Sequence, residues 1–253
     1  MQDDERTQNK YEARRAEKET ERIAKERGAK TRRIARWGIF AVAIAAVVLG
    51  LIWIIQQAPE QSVSRLVKPG TTIEHTKGPS GASAQLVEYS DFQCPACRAF
   101  YPLVKELAKE FPNDLEIAYR HFPLERTHPN ANAAGRAAEA AGAQGKFWEM
   151  HDIIFERQDE WSKVPNPTDL FAGYAVPLGI DENQFRADMN SREAKDKVQK
   201  DLESGIASGV NATPTFFING TKIQNPRSYD EFRALIQQYI AVGSTTTPLS
   251  NVE

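Results

Sequence analysis

Nineteen consecutive residues without a charge, WGIFAVAIAAVVLGLIWII at positions 37–55, divide this chain of 253 residues. As a helix the run would measure about 28 Å, close to the roughly 30 Å hydrocarbon core of a bilayer. Trp37 and Trp53 lie near its ends, where aromatic side chains favour the membrane interface. Arg32, Arg33 and Arg36 press against its N-terminal side, and on the other side no Lys or Arg follows until Arg65. The positive-inside rule therefore predicts a cytoplasmic arm at 1–36, a single transmembrane anchor at 37–55, and a body outside the cytoplasm. A cleaved signal peptide would have a shorter apolar core, about 7–15 residues, and a small-residue cleavage site. QQAPEQ, which follows the run, offers no such site. A buried helix of a soluble core is the other alternative, and apolar runs of this length are uncommon there.

Charge separates the same parts. The arm holds 12 Lys/Arg and 8 Asp/Glu, whereas the rest of the chain holds 20 basic and 26 acidic residues. A mildly acidic body argues against nucleic-acid binding, which needs a basic surface. The arm mixes both signs at helical spacing with almost no apolar stripe, the pattern of a solvated, partly helical tail.

Residues 56–70 are polar, contain two prolines and read as a stalk. From Thr71 the pattern changes to that of an α/β domain. TTIEH, AQLVEYSDF and DLEIAYRHF are strand candidates. Between the last two, PACRAFYPLVKELAKEF has Cys97, Phe100, Val104, Leu107 and Phe111 at helical period, with Pro102 expected to kink the helix. A helical block follows at about 130–209. Asp181 and Ser191 are predicted N-caps, Ala194, Val198, Leu202 and Ile206 a predicted apolar face, and Gly209 a helix stop. Trp148 and Met150 read as core of these helices. ATPTFFING and TKIQ then read as a hairpin, SYDEFRALIQQYI as the last helix, and 242–253 as a flexible tail. The expected architecture is a small α/β sheet with a helical insertion in its middle.

The chain has two cysteines, Cys94 and Cys97, at the predicted strand-to-helix junction. Outside the cytoplasm thiols meet oxidising conditions. Cys-x-x-Cys at such a junction is a redox arrangement. Cys94 would lie where unpaired backbone N–H groups and the helix dipole stabilise a thiolate, which makes it the attacking thiol. Pro95 suits the first turn because it lacks the N–H that would be orphaned there. Cys97, one turn on, would resolve the mixed disulfide. A purely structural bridge would close a very short loop and gain little chain entropy. A zinc site would need two more ligands, and His75, His121, His128 and His151 show no ligand-like pairing. Two unrelated buried cysteines remain an alternative. No metal or other cofactor is expected, and His121 and His128 read as surface or packing residues.

EYSDFQCPAC, GKFWEMHDIIFERQ and GVNATPTFFING together resemble the DsbA family of thiol–disulfide oxidoreductases, in its membrane-anchored bacterial form, over about residues 71–241. The resemblance implies a thioredoxin fold with an inserted helical subdomain, preceded by one N-terminal transmembrane helix. It implies that Cys94 and Cys97 are the redox pair and that Pro214 is a cis-proline beside them. Thr213 would pair through its backbone with an extended substrate segment, with Pro95 and Ala96 as further substrate contacts. Glu88 would be a buried acid beneath the site, its pKa raised, passing protons to and from Cys97. An exposed strand glutamate is the alternative for Glu88. Ala96 stands where strongly oxidising members carry His, and Ala212 where many relatives carry Gly.

The expected function is exchange or introduction of disulfides in reduced, unfolded exported proteins, with a membrane or soluble redox partner regenerating the pair. A membrane-tethered reductase or isomerase is the nearest alternative. A peptide-binding chaperone module with incidental thiols is another.

Overall fold

The computed structural model describes residues 74–245, together with Trp37, Phe40, residues 47–50 and Leu66. The chain divides into two compact units, residues 1–62 and 63–253. In the first, Trp37, Phe40 and residues 47–50 are helical, and the side chains of Trp37, Phe40, Val47, Val48 and Leu49 are exposed. Among the described residues no helix is long and apolar enough to cross a membrane. The arm and most of the 37–55 run lie outside the described residues. So does the stalk apart from Leu66.

In the second unit a five-stranded sheet has the order β1-β3-β2-β4-β5. The strands are β1 (His75–Lys77), β2 (Ala84–Ser90), β3 (Leu115–His121), β4 (Thr215–Ile218) and β5 (Thr221–Lys222). β2 and β3 run parallel, with Glu88 opposite Tyr119, and every other pairing is antiparallel. A parallel pair needs a crossover, and helix α1 (Pro95–Glu110) supplies it. The central strand β2 is buried on both faces except at Gln85, as expected where helices cover both sides.

The helical insertion comprises α2 (Ala131–Gly142), α3 (Phe147–Glu156), α4 (Gln158–Trp161), α5 (Thr168–Ala175), α6 (Glu182–Met189) and α7 (Arg192–Ala207). The predicted caps form: Asp181 accepts from the Gln184 N–H at 2.8 Å, and Ser191 from the Ala194 N–H at 3.1 Å. Met150 is fully buried, whereas Trp148 is half-buried and its Nε1–H donates to the Thr76 carbonyl.

Five expectations are corrected. The first strand starts at His75, the last residue of TTIEH. Pro102 does not interrupt α1, which continues from Pro95 to Glu110. The last helix, α8 (Tyr229–Thr245), runs past 241 into the expected tail, and residues 246–253 lie outside the described residues. Leu66, expected in a free stalk, donates its N–H to the Gly220 carbonyl and packs on the cluster containing Phe217 and Phe122. The fifth concerns α7. Ile206 is 62 % exposed, while Lys197 and Asp201 are buried and paired at 2.6 Å. Asp201 also accepts the His121 N–H at the end of β3, so the inward-facing pair serves as a polar joint between α7 and the sheet.

Close packing at that joint requires Gly205. A Cβ there would stand 2.5 Å from the Phe122 ring and 3.0 Å from Tyr89. A second polar joint lies on the far edge. Glu139 of α2 accepts from His121 at 2.7 Å and from His75 at 2.9 Å. Burial alone would raise its pKa. The two histidines outweigh that and hold its carboxyl well below the usual range.

Candidate active site

β2 ends at Ser90, and after four intervening residues α1 begins, with Cys94 as its N-cap in extended conformation and Pro95 at the first turn. The intervening loop is pinned from several directions. Asp91, fully buried, accepts from the Gln93 N–H at 2.7 Å, the Leu124 N–H at 2.8 Å and His128 Nδ1 at 2.8 Å. Its own N–H points to Cys97 Sγ at 3.4 Å. Gln158 Nε2 donates to the carbonyls of Phe92 and Cys94. Gln93 ties the loop to the Ser162 carbonyl and the Asn130 N–H. The helical insertion therefore fixes the backbone that carries the cysteines.

The two thiols are both free and differ in environment. Cys97 is fully enclosed, whereas Cys94 keeps 7 % exposure beside the exposed Pro95 and Ala96. The Cys94 pKa falls to about 5. The Cys97 thiol beside it is the main cause, outweighing burial, with further help from Thr213 and the N–H groups of Cys97 and Ala96. The Cys97 pKa is raised, first by burial and then by Cys94 and Glu88. The two sulfurs thus differ in exposure and in the direction of their pKa shifts, with Cys94 the more accessible and the more acidic.

The opposite wall is the loop before β4. The Thr213–Pro214 peptide is cis, and the Thr213 carbonyl accepts from Cys94 Sγ at 3.5 Å. Asn225 holds the Pro214 carbonyl at 2.8 Å, and Thr215 Oγ1 donates to the Ala212 carbonyl at 2.7 Å. Ala212 is exposed, so nothing is packed over its methyl group. Thr213, Pro95 and Ala96 thus border the accessible side of Cys94. A groove of about 630 Å³ continues from there, lined by residues including Gln93, Pro95, Arg98, His128 and Lys163.

Glu88 lies on the buried side of the sulfur pair, with 4 % exposure. Burial raises its pKa to about 7, with the Ser90 hydroxyl acting weakly the other way. The exposed-strand alternative is thereby excluded. Tyr119, its partner across the sheet, has its pKa raised by burial and by Glu88, Cys97 and Asp91. Among the described residues, the buried hydroxyls of Ser90 and Tyr119 lie beside Glu88 but make no hydrogen bond of full geometry. Of the residues singled out from the sequence, the structure brings Glu88, Cys94, Cys97, Thr213 and Pro214 together and leaves Pro95 and Ala96 exposed at the rim, while sequence reasoning passed over others. It missed Asp91, Gln93, Tyr119 and Gln158, and it set His128 aside. Only the run of SDFQ directly before the cysteines hinted at a polar loop.

A thioredoxin family, described as Thioredoxin, matches residues 71–238 of the chain. Among solved structures, oxidised BdbD from Bacillus subtilis superposes with a TM-score of 0.62 at 21% identity, covering 70% of this chain and 98% of that one. Alpha-DsbA1 from Wolbachia pipientis gives 0.61 at 19% identity, covering 69% and 94%. At these identities the likeness is one of fold. Among curated proteins, the Na(+)/H(+) antiporter NhaA 1 of Mycolicibacterium vanbaalenii is 40% identical over 203 residues, 76% of this chain. The chain spans only 31% of the length of that relative. With its fold, its Cys-x-x-Cys at a helix start and its cis-proline loop in place, the chain belongs to the thioredoxin family and carries the DsbA-type fold.

Proposed function

We propose that the chain is a thiol–disulfide oxidoreductase that introduces or exchanges disulfides in exported proteins outside the cytoplasm. The observation that carries this reading is the contrast between the sulfurs: a stabilised thiolate at an accessible rim, and an enclosed thiol beside an acid with a pKa of about 7. In the oxidising direction, a substrate thiolate attacks Cys94 of the Cys94–Cys97 disulfide. Cys97 leaves with the electron pair and takes a proton from Glu88. A second substrate thiolate then attacks the substrate sulfur of the mixed disulfide, and Cys94 leaves as its stabilised thiolate. The substrate loses two electrons and gains a disulfide, while the enzyme ends as a dithiol. A redox partner must accept those electrons to regenerate it. Thr213 offers an extended substrate its backbone, the strand-addition mode of peptide binding.

The direction follows from what stabilises the reduced form, since that makes the disulfide more oxidising. Cys97, Thr213 and two backbone N–H groups stabilise the Cys94 thiolate, but Ala96 adds only a methyl group. The expected potential lies between about −270 mV, typical of thioredoxin, and about −120 mV, that of the strongest DsbA oxidants. Equilibration with a glutathione buffer, read by thiol alkylation, measures it. A value at or below the thioredoxin end would replace the oxidase with a reductase.

The same reading includes a single N-terminal anchor at 37–55, with residues 1–36 cytoplasmic. Its support is the uncharged run behind the arginines, together with the exposed apolar side chains of Trp37, Phe40 and Leu49. Protease added to spheroplasts is expected to digest the body and leave a short membrane-bound N-terminal fragment. Release of the intact body by osmotic shock would refute the anchor.

A further inference from the structure

Glu88 is enclosed by the sheet above and by α1 and α3 below, yet a proton carrier must be recharged after each turnover. A cavity of about 20 Å³ touches it from the side away from the cysteines. That volume is enough for one water molecule. Apolar side chains, among them Val104, Ile117 and Phe155, form part of its wall. The remainder is ionisable: Tyr101 and Lys105 from α1, His151 and Asp152 from α3, and Lys77 from β1.

Tyr101, Lys105, His151 and Asp152 form one connected cluster, while the Lys77 ammonium lies over the Trp148 ring. Lys105 Nζ reaches Asp152 Oδ2 at 2.8 Å, Tyr101 Oη at 2.7 Å and Glu156 Oε1 at 3.3 Å. Asp152 Oδ1 meets His151 Nδ1 at 3.0 Å. The side chains of Asp152 and Lys105 are 22% and 34% exposed, so the cluster spans from the cavity to solvent. An ion cluster at this depth costs desolvation, and packing α3 against α1 does not require one.

We propose that protons reach Glu88 from solvent through this cavity, delivered by Asp152 with Lys105 and His151 as its positioning partners. The inference rests on the reading of Glu88 as the proton source for Cys97. Per turnover in the oxidising direction, Glu88 gives one proton to the departing Cys97 thiolate. It then regains one from solvent by way of Asp152 and the cavity, so the relay returns to its starting state. Burial lowers the His151 pKa, and the Asp152 pKa is lowered by His151 and Lys105 against the effect of burial. At neutral pH Asp152 is therefore a carboxylate, and it holds a proton only in passing, as it hands one on towards Glu88. From the cysteine side, the groups that face Glu88 are Cys97, Ser90 and Tyr119. β4 adds none, since Phe216 stands opposite Glu88 there.

The test uses the full chain and the pH profile of substrate-thiol attack on its disulfide form, followed by rapid quench. Glu88 is expected to set an inflection near neutral pH in the parent. Asp152→Asn removes a negative neighbour and is expected to lower that inflection. Lys105→Met leaves Asp152 unopposed and is expected to raise it. Both are expected to slow the plateau rate several-fold, with Asp152→Glu restoring it. A helix-packing role would not move the inflection in opposite directions. Profiles identical to the parent in both variants would overturn the relay while leaving Glu88 in place. If Glu88→Gln also keeps the parent profile, the underlying reading of Glu88 fails as well.

Discussion

A Cys97→Ser protein is expected to accumulate a reductant-sensitive covalent adduct with disulfide-bearing substrate proteins, whose disulfide the Cys94 thiolate attacks with release of one substrate thiol, and a Cys94→Ser protein to form none. The adduct forms at the accessible sulfur and persists because resolution needs a second thiol within reach. Cys97 is the only other cysteine in the chain. The choice of replacement matters. The leading contribution to the low Cys94 pKa is the Cys97 thiol itself. Alanine at 97 deletes that donor, so the Cys94 pKa rises and less thiolate is present below neutral pH. Serine keeps a hydroxyl donor in its place. Trapping by Cys97→Ser should therefore exceed trapping by Cys97→Ala at about pH 6, and the two should converge at alkaline pH, where either Cys94 is ionised. Gel-shift capture across pH reads this directly. Adducts at Cys97 in the Cys94→Ser protein would reverse the assignment.

The largest expected stability change lies far from the sulfurs. Lys197→Met should destabilise the domain by about 3–5 kcal/mol, because it strands the fully buried Asp201 carboxylate without its counter-ion. Lys197 keeps 2% exposure and Asp201 none. The double variant Lys197→Met/Asp201→Asn should recover the greater part. It carries no buried charge, and its amide oxygen still accepts the His121 N–H that Asp201 holds at 3.0 Å. Denaturant unfolding of the two single variants and the double closes the cycle. Costs that simply add would show that the pair is not coupled and that its place in α7 is a matter of shape.

The sequence was most readable where local pattern and tertiary role coincide. The apolar and aromatic residues of AQLVEYSDF mark the strand under the site, and Pro95 marks the first turn of α1 regardless of what surrounds it. Thr213-Pro214 was legible through resemblance rather than pattern, since a two-residue loop has no period. Side chains whose partners lie far along the chain could not be read. Gln93 reaches Ser162 and Gln158 reaches Phe92 across more than sixty residues. Nothing local marks either glutamine as more than a surface residue. α7 misled for a related reason. Its apolar residues trace one stripe, but the buried face is chosen by Gly205, which admits the Phe122 ring, and by an ion pair that neutralises itself. Ile206 is left facing outward.

The contact between Cys94 and the Thr213 carbonyl joins residues 119 positions apart. At a synthesis rate of roughly 5–20 residues per second, the redox pair leaves the ribosome on the order of ten seconds before that wall exists. During that interval no β4 stands beside β2, and neither the Thr213 carbonyl nor its hydroxyl faces the sulfur. The nascent chain thus carries two cysteines without the setting that makes one a selective nucleophile. The long insertion acts as a timer: it keeps the reactive centre unfinished until nearly the whole domain has been made.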